Sequence, residues 1–202
     1  IFNPKQNYTI KMLSNNLYKI EASTSSKNDF KCSAHNRQEE SLQILNTTSS
    51  NNFSIGDVTR SFRIVFGLTQ SFKNNYIRNA NFNQSIMNRL YHILNITNLI
   101  YQNNFSITFT INSSHQQQII QSDLFDQVNN NNFENYYDTF TNKFNQIIGT
   151  ENYDIGHVVA SGNGGMANLS SICHKDYKGR GWTAADLNND QQFVIDYLCH
   201  EI

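Results

Sequence analysis

An imidazole followed directly by a carboxylate, His200-Glu201, stands just before Ile202. In a helix reading H-E-x-x-H, two imidazoles one turn apart hold a zinc ion, and the glutamate beside the first takes a proton from a water at the metal. Here the first imidazole and the acid are present, and the second imidazole is expected two residues past Ile202. A His-Glu pair alone also suits any solvated helix surface, so the elements that deliver it must carry the argument.

The pair belongs to a predicted helix. Asp190 is expected to cap it, and Val194, Tyr197, Leu198 and Ile202 form its apolar stripe. No Gly, Pro or basic last turn closes it, so the helix is expected to continue past Ile202, with the chain cut inside it.

Upstream the periodicities alternate. Arg60–Phe66 is rich in β-branched and aromatic residues and reads as a strand. Phe82–Tyr101 places Ile86, Leu90, Ile93, Leu94 and Thr97 at helical spacing. Asn104–Asn112 alternates Phe105, Ile107, Phe109 and Ile111 against Ser and Thr, the clearest strand pattern in the chain. Phe133–Ile148 is a second amphipathic helix, closed by Gly149. Tyr153–Ala160 is a third strand. This β-α-β-α-β rhythm predicts an α/β fold with a twisted, mixed, mostly parallel sheet and covering helices. After the Gly-rich turn Ser161–Gly165, Met166–Cys173 is expected as a reversed, antiparallel edge strand, and Lys178–Thr183 as a turn leading into another strand. Near the start, Tyr8–Met12 and Leu17–Glu21 alternate as exposed strands would. Lys31–Asn52 is polar and aperiodic, a linker or processing segment.

Composition bounds the functions. The chain has 202 residues, 15% charged, with a formal net charge of -1. That balance carries no electrostatic footprint for nucleic acid. No apolar run approaches the ~20 residues of a membrane span. No secretory signal opens the chain, but it begins at Ile1 rather than Met, so both ends are expected to be cut from a longer protein and the missing signal says nothing about destination. N-x-S/T acceptors stand at Asn7, Asn46, Asn52, Asn83, Asn95, Asn104, Asn112 and Asn168; in an Asn-rich chain many arise by composition alone. Cys32, Cys173 and Cys199 are odd in number, so at least one is unpaired within the chain.

Tyr153-Asp-Ile-Gly-His157, Gly162-Asn-Gly-Gly-Met-Ala167, Leu169–Cys173, Arg180-Gly181 and Ile195-Asp-Tyr-Leu-Cys-His-Glu-Ile202 together resemble, in order and spacing, the N-terminal subdomain of reprolysin-like (adamalysin-type) zinc metalloproteases of the metzincin clan. The similarity is dense over 153–202, looser from Gly56 to Gly149, and absent before Gly56. It implies residues 56–202 as an incomplete catalytic-domain subdomain and residues 1–55 as a propeptide tail or preceding extracellular segment. It makes His200 the first ligand of one catalytic zinc and Glu201 the general base of peptide hydrolysis; the other ligands and the Met-turn would lie beyond Ile202. A lone imidazole cannot hold a three-ligand catalytic zinc, so the chain alone is expected to be inactive. The resemblance also makes Met166–Ile172 the upper rim of a cleft, with Gly164, Gly165, Met166, Ala167, Asn168 and Leu169 binding an extended polypeptide by strand addition. A secreted or surface protein is implied, with its own propeptide as a further partner. Calcium is allowed by analogy without a named ligand set.

Other residues have plainer readings. His157 is expected as a packed core residue and His174 as exposed; His35, His92 and His115 have no partners at metal spacing. Asp186–Asp190 opens like a calcium loop, but Gln191 and Tyr197 replace the Gly and Glu an EF-hand needs, which leaves Asp190 a capping role. Under the resemblance, Cys173 occupies the place of a cysteine bridged to a later subdomain. Cys199 reads as a buried thiol. Cys32 reads as a stray or disulfide-linked cysteine, or as a propeptide thiolate for the zinc. The rival function is a non-catalytic secreted glycoprotein that uses the same scaffold for adhesion. A third reading is an unrelated α/β binding domain whose His-Glu ending is coincidental.

Overall fold

The structure, a computed structural model, describes residues 7–14, 17–23 and 58–202; Cys32, His35 and the segment Lys31–Asn52 lie outside the described residues. Strands β1 (Asn7–Ser14) and β2 (Leu17–Ser23) form an antiparallel hairpin with Ile10 opposite Ile20.

The remaining strands are β3 (Arg60–Leu68), β4 (Ile107–Thr110), β5 (Ile155–Ser161), β6 (Gly164–Ala167) and β7 (Gly181–Ala185). They form one sheet in the order β4-β3-β5-β7-β6. The first three pairings are parallel, and β6 closes the row antiparallel to β7. Helices α1 (Gln70–Lys73), α2 (Phe82–Phe105), α3 (Ser113–Gln121), α4 (Phe133–Tyr137) and α5 (Phe140–Ile148) connect them. A π-helical stretch, Gln191–Leu198, runs into a last α-helical turn, α6 (Cys199–Glu201).

Both sheet faces are covered, as a largely parallel sheet requires. On one face Ile64, Phe66, Leu68 and Val159 pack with Ile86, Leu90 and Ile93 of α2 and with Val194 and Leu198 of the terminal helix. On the other, Val65, Val158 and Trp182 pack with Phe140 and Phe144 of α5, and Phe133 stacks on Trp182 at 4.2 Å. Among the described residues, no helix is long and apolar enough to cross a membrane.

Three elements depart from the sequence expectations. The strand at Asn104–Asn112 is only Ile107–Thr110, because α2 continues through Phe105 and ends at Ser106 in the left-handed region (φ 54°). Phe105, read as part of the strand alternation, is 45% exposed and lies against Tyr101 at the end of α2 instead. The helix at Phe133–Ile148 breaks in two at Asp138-Thr139. There the Thr139 hydroxyl donates to the Tyr136 carbonyl at 2.6 Å, a local bond that competes with the helical one. The edge strand at Met166–Cys173 starts earlier, at Gly164, and stops at Ala167; Ser170 (φ 57°) and Cys173 (φ 60°) then take left-handed conformations that no strand continues through.

Candidate active site

The two sheet edges differ. At the β4 end, Asn98 of α2 accepts from the Phe109 N–H at 2.6 Å and donates to the Phe109 carbonyl at 2.9 Å. β4 covers only the first part of β3, and beyond it Gln116 of α3 repeats the device. Its carboxamide accepts from the Phe66 N–H at 2.9 Å and donates to the Phe66 carbonyl at 2.8 Å. Each amide stands in for a missing strand. At the β6 end, the sheet stops without a further strand among the described residues.

The pairing of β6 fixes which groups face outward. The Asn168 N–H donates to the Arg180 carbonyl, and Met166 sits opposite Trp182. Antiparallel pairing alternates direction, so Gly164, Met166 and Asn168 turn their backbone groups toward β7. Gly165 and Ala167 therefore turn theirs to the open edge.

A groove of about 270 Å³ lies below that edge. Ala167–Ile172 form one wall, with Leu169 67% exposed, while Ile155–His157 and Lys178 belong to its floor. His200, Glu201 and Ile202 line the groove as well. The structure thus brings Ala167, Asn168 and Leu169 together with His200 and Glu201. Gly164, Gly165 and Met166 do not line the groove: Met166 packs in the core beside Trp182, and Gly165 lies under the Glu201 side chain.

Three contacts hold the helix carrying His200 and Glu201. Asp190, at its start, bonds no helix N–H; its carboxylate pairs with Arg89 at 2.6 Å and His92 at 2.7 Å, both from α2. The expected capping role of Asp190 is therefore incorrect. Asn189 supplies the bond instead, accepting from the Gln192 N–H. Burial pushes the Asp190 carboxyl up, but His92 and Arg89 outweigh it and hold the group below the usual range. Farther along, the Tyr101 hydroxyl donates to the Cys199 carbonyl at 3.0 Å. Tyr197 donates to Asn163, in the turn between β5 and β6, at 3.0 Å.

His157 is fully buried, its ring bonded to the Thr183 hydroxyl at 2.8 Å, and burial lowers its pKa to about 3. It is a core residue as expected, and it also lines the groove floor. His174 is exposed and stacks on Tyr177 at 4.4 Å. Cys173 is an exposed free thiol; Cys199 is a free thiol whose pKa burial pushes up to about 12, so it is no reactive thiolate. Sequence reasoning missed Arg89 and His92, reading the latter as an ordinary polar position. The signal was an Arg and a His three residues apart on the inner side of α2, with a single Asp ahead of the terminal helix.

A catalytic zinc takes three protein ligands and leaves one position open. His200 at the groove and Glu201 beside it fit the first ligand and the base of that set. Among the described residues, no three His, Cys, Asp or Glu side chains come together, so these do not hold a metal by themselves. No curated protein matches the chain. The model of metallo-peptidase family M12B, reprolysin-like, matches residues 87–202, from the second turn of α2 through the groove to the terminal helix. With more than half its length matched, the chain belongs to the reprolysin-like M12B metallopeptidases, a zinc-dependent family.

Proposed function

We propose that the chain supplies the upper rim, the first metal ligand and the general base of a secreted zinc endopeptidase. In this reading His200 is the ligand, and the other two imidazoles come from residues following Ile202 in a longer protein. Zinc, when bound, would polarise the scissile carbonyl and lower the pKa of a water to about 7. Glu201 takes the proton from the attacking water and passes it to the leaving amine. An extended polypeptide pairs with the N–H and C=O groups of Gly165 and Ala167, while Asn168 and Leu169 border its side chains. Residues 1–55 are then a propeptide tail or a preceding extracellular segment. The 202 residues alone are inactive, because one imidazole cannot hold a catalytic zinc.

The observation that carries this reading is the shared groove: Ala167, at the end of the β6 edge, and the Asn168 and Leu169 that follow it line the same groove as His200 and Glu201. The test is a protein extended through x-His-x-x-Gly-x-x-His after Ile202. It should hydrolyse protein substrate in a chelator-sensitive way. Glu201→Gln should lower turnover by about 10²- to 10⁴-fold with zinc still bound, as read by metal analysis. Undiminished turnover in that variant overturns the assigned base. An encoded sequence lacking either imidazole favours the adhesion protein instead.

A further inference from the structure

We propose that Gly165 is a positioning residue: its missing side chain seats the Glu201 carboxylate and fixes it against the open edge of β6. The functional consequence rests on the reading of Glu201 as the base; the packing does not.

The two glycines of the Gly164-Gly165 pair serve different ends. Gly164 has φ 116°, a conformation that favours glycine whatever surrounds it. Gly165 is outside the left-handed region, so its backbone would accept alanine. Its neighbours would not. A Cβ built there meets Glu201 Cγ and Oε1 at 2.8 Å and Cδ at 3.0 Å, closer than real Cβ contacts come.

Glu201 has little room to yield. It is 4% exposed. Its helix is tied to α2 through Asp190 and the Cys199 carbonyl, and to the β5–β6 turn through Tyr197. A methyl group at position 165 must therefore push the carboxylate itself. Gly165 also presents its N–H and C=O to the open edge. The residue on which the carboxylate rests is thus one with which an extended peptide would pair, and carboxylate and peptide backbone are set from a single point.

The experiment is a stability cycle on the 202-residue chain, with no metal needed. Gly165→Ala is made in the parent, in Glu201→Gln and in Glu201→Ala. Overpacking should lower Tm by about 3–8 °C in the parent and in the Gln variant, whose side chain has the same length. In the Ala variant the shift should largely vanish. Gly164→Ala should cost the same in all three backgrounds, because its cost is conformational. Equal Gly165→Ala shifts in every background, or no shift in the parent, overturn the proposal. In the extended protein, Gly165→Ala should lower kcat by about 100-fold with KM nearly unchanged. A KM effect alone would make Gly165 only a pairing position and also overturn it. Turnover retained in Glu201→Gln would remove the assignment of Glu201 as the base and leave the cycle standing.

Discussion

The β4 end and the β6 end of the sheet solve the same problem in opposite ways. Unpaired backbone groups at a strand edge recruit other strands, and folded proteins cover them or interrupt them. At the β4 end two carboxamides do the covering. Asn98 bonds both backbone groups of Phe109, and Gln116 bonds both backbone groups of Phe66. At the β6 end Gly165 and Ala167 keep their outward groups beside a groove that also holds His200 and Glu201. Among the described residues, two well-placed amides close one edge, and no strand covers the other, where an acid and an imidazole stand. That contrast supports strand addition as the mode of binding.

The sharpest way to break the comparison is to remove a clip. Gln116 is fully buried, so Gln116→Leu leaves the Phe66 N–H and C=O unpaired in the interior. Two orphaned groups should cost roughly 4 kcal/mol in urea unfolding. A loss below about 0.5 kcal/mol, the scale of an ordinary surface change, would show that the amide is not acting as a substitute strand.

Proline separates inward from outward groups on β6. At Met166 it removes an N–H directed at β7 and should cost about 3 kcal/mol. At Ala167 it removes an outward N–H, which edge strands tolerate, and the cost should be nearer 1 kcal/mol. Ala167→Pro should also weaken the binding of an extended peptide, measured by calorimetry on the longer protein. Equal costs at the two positions would mean that the alternation has been assigned the wrong way round.

These devices explain which parts of the fold were legible in the sequence. The strand-helix alternation and the apolar stripe of the terminal helix follow local periodicity, and they were read nearly to their ends. Asn98 and Gln116 were not, because an amide looks the same whether it faces solvent or another strand's backbone, and this chain is rich in Asn and Gln. The short β4 was overread because Phe105 fits both the strand alternation and the end of α2, and only the packing of Tyr101 against Phe105 and, edge-on, against Phe109 decides it. In the site, the motif singled out His200 and Glu201 directly. Gly165 was read as a turn and substrate-binding residue and not as a seat for Glu201, since a contact with a carboxylate 36 residues later leaves no local signal. The Arg89–Asp190–His92 contact was invisible for the same reason: its partners are about 100 residues apart.

The smallest effect tests the floor beneath the open edge. The closed edge is held by neutral amides, which do not titrate, whereas the groove floor contains His157. Burial lowers its pKa from 6.5 to about 3. Above pH 6.5 the ring is neutral in both folded and unfolded chains, and its effect on stability does not change with pH. Between 6.5 and 3 the unfolded chain binds a proton that the folded one refuses, so stability falls as pH falls. The slope from this one group approaches about 1.4 kcal/mol per pH unit. His157→Gln keeps a partner for the Thr183 hydroxyl and removes the titration. Urea unfolding of both proteins at pH 7, 6, 5 and 4 should give curves that separate progressively below pH 6.5, with the variant losing less. Parallel curves would mean that His157 accepts a proton without unfolding, and that the floor of the groove is wetter than its burial implies.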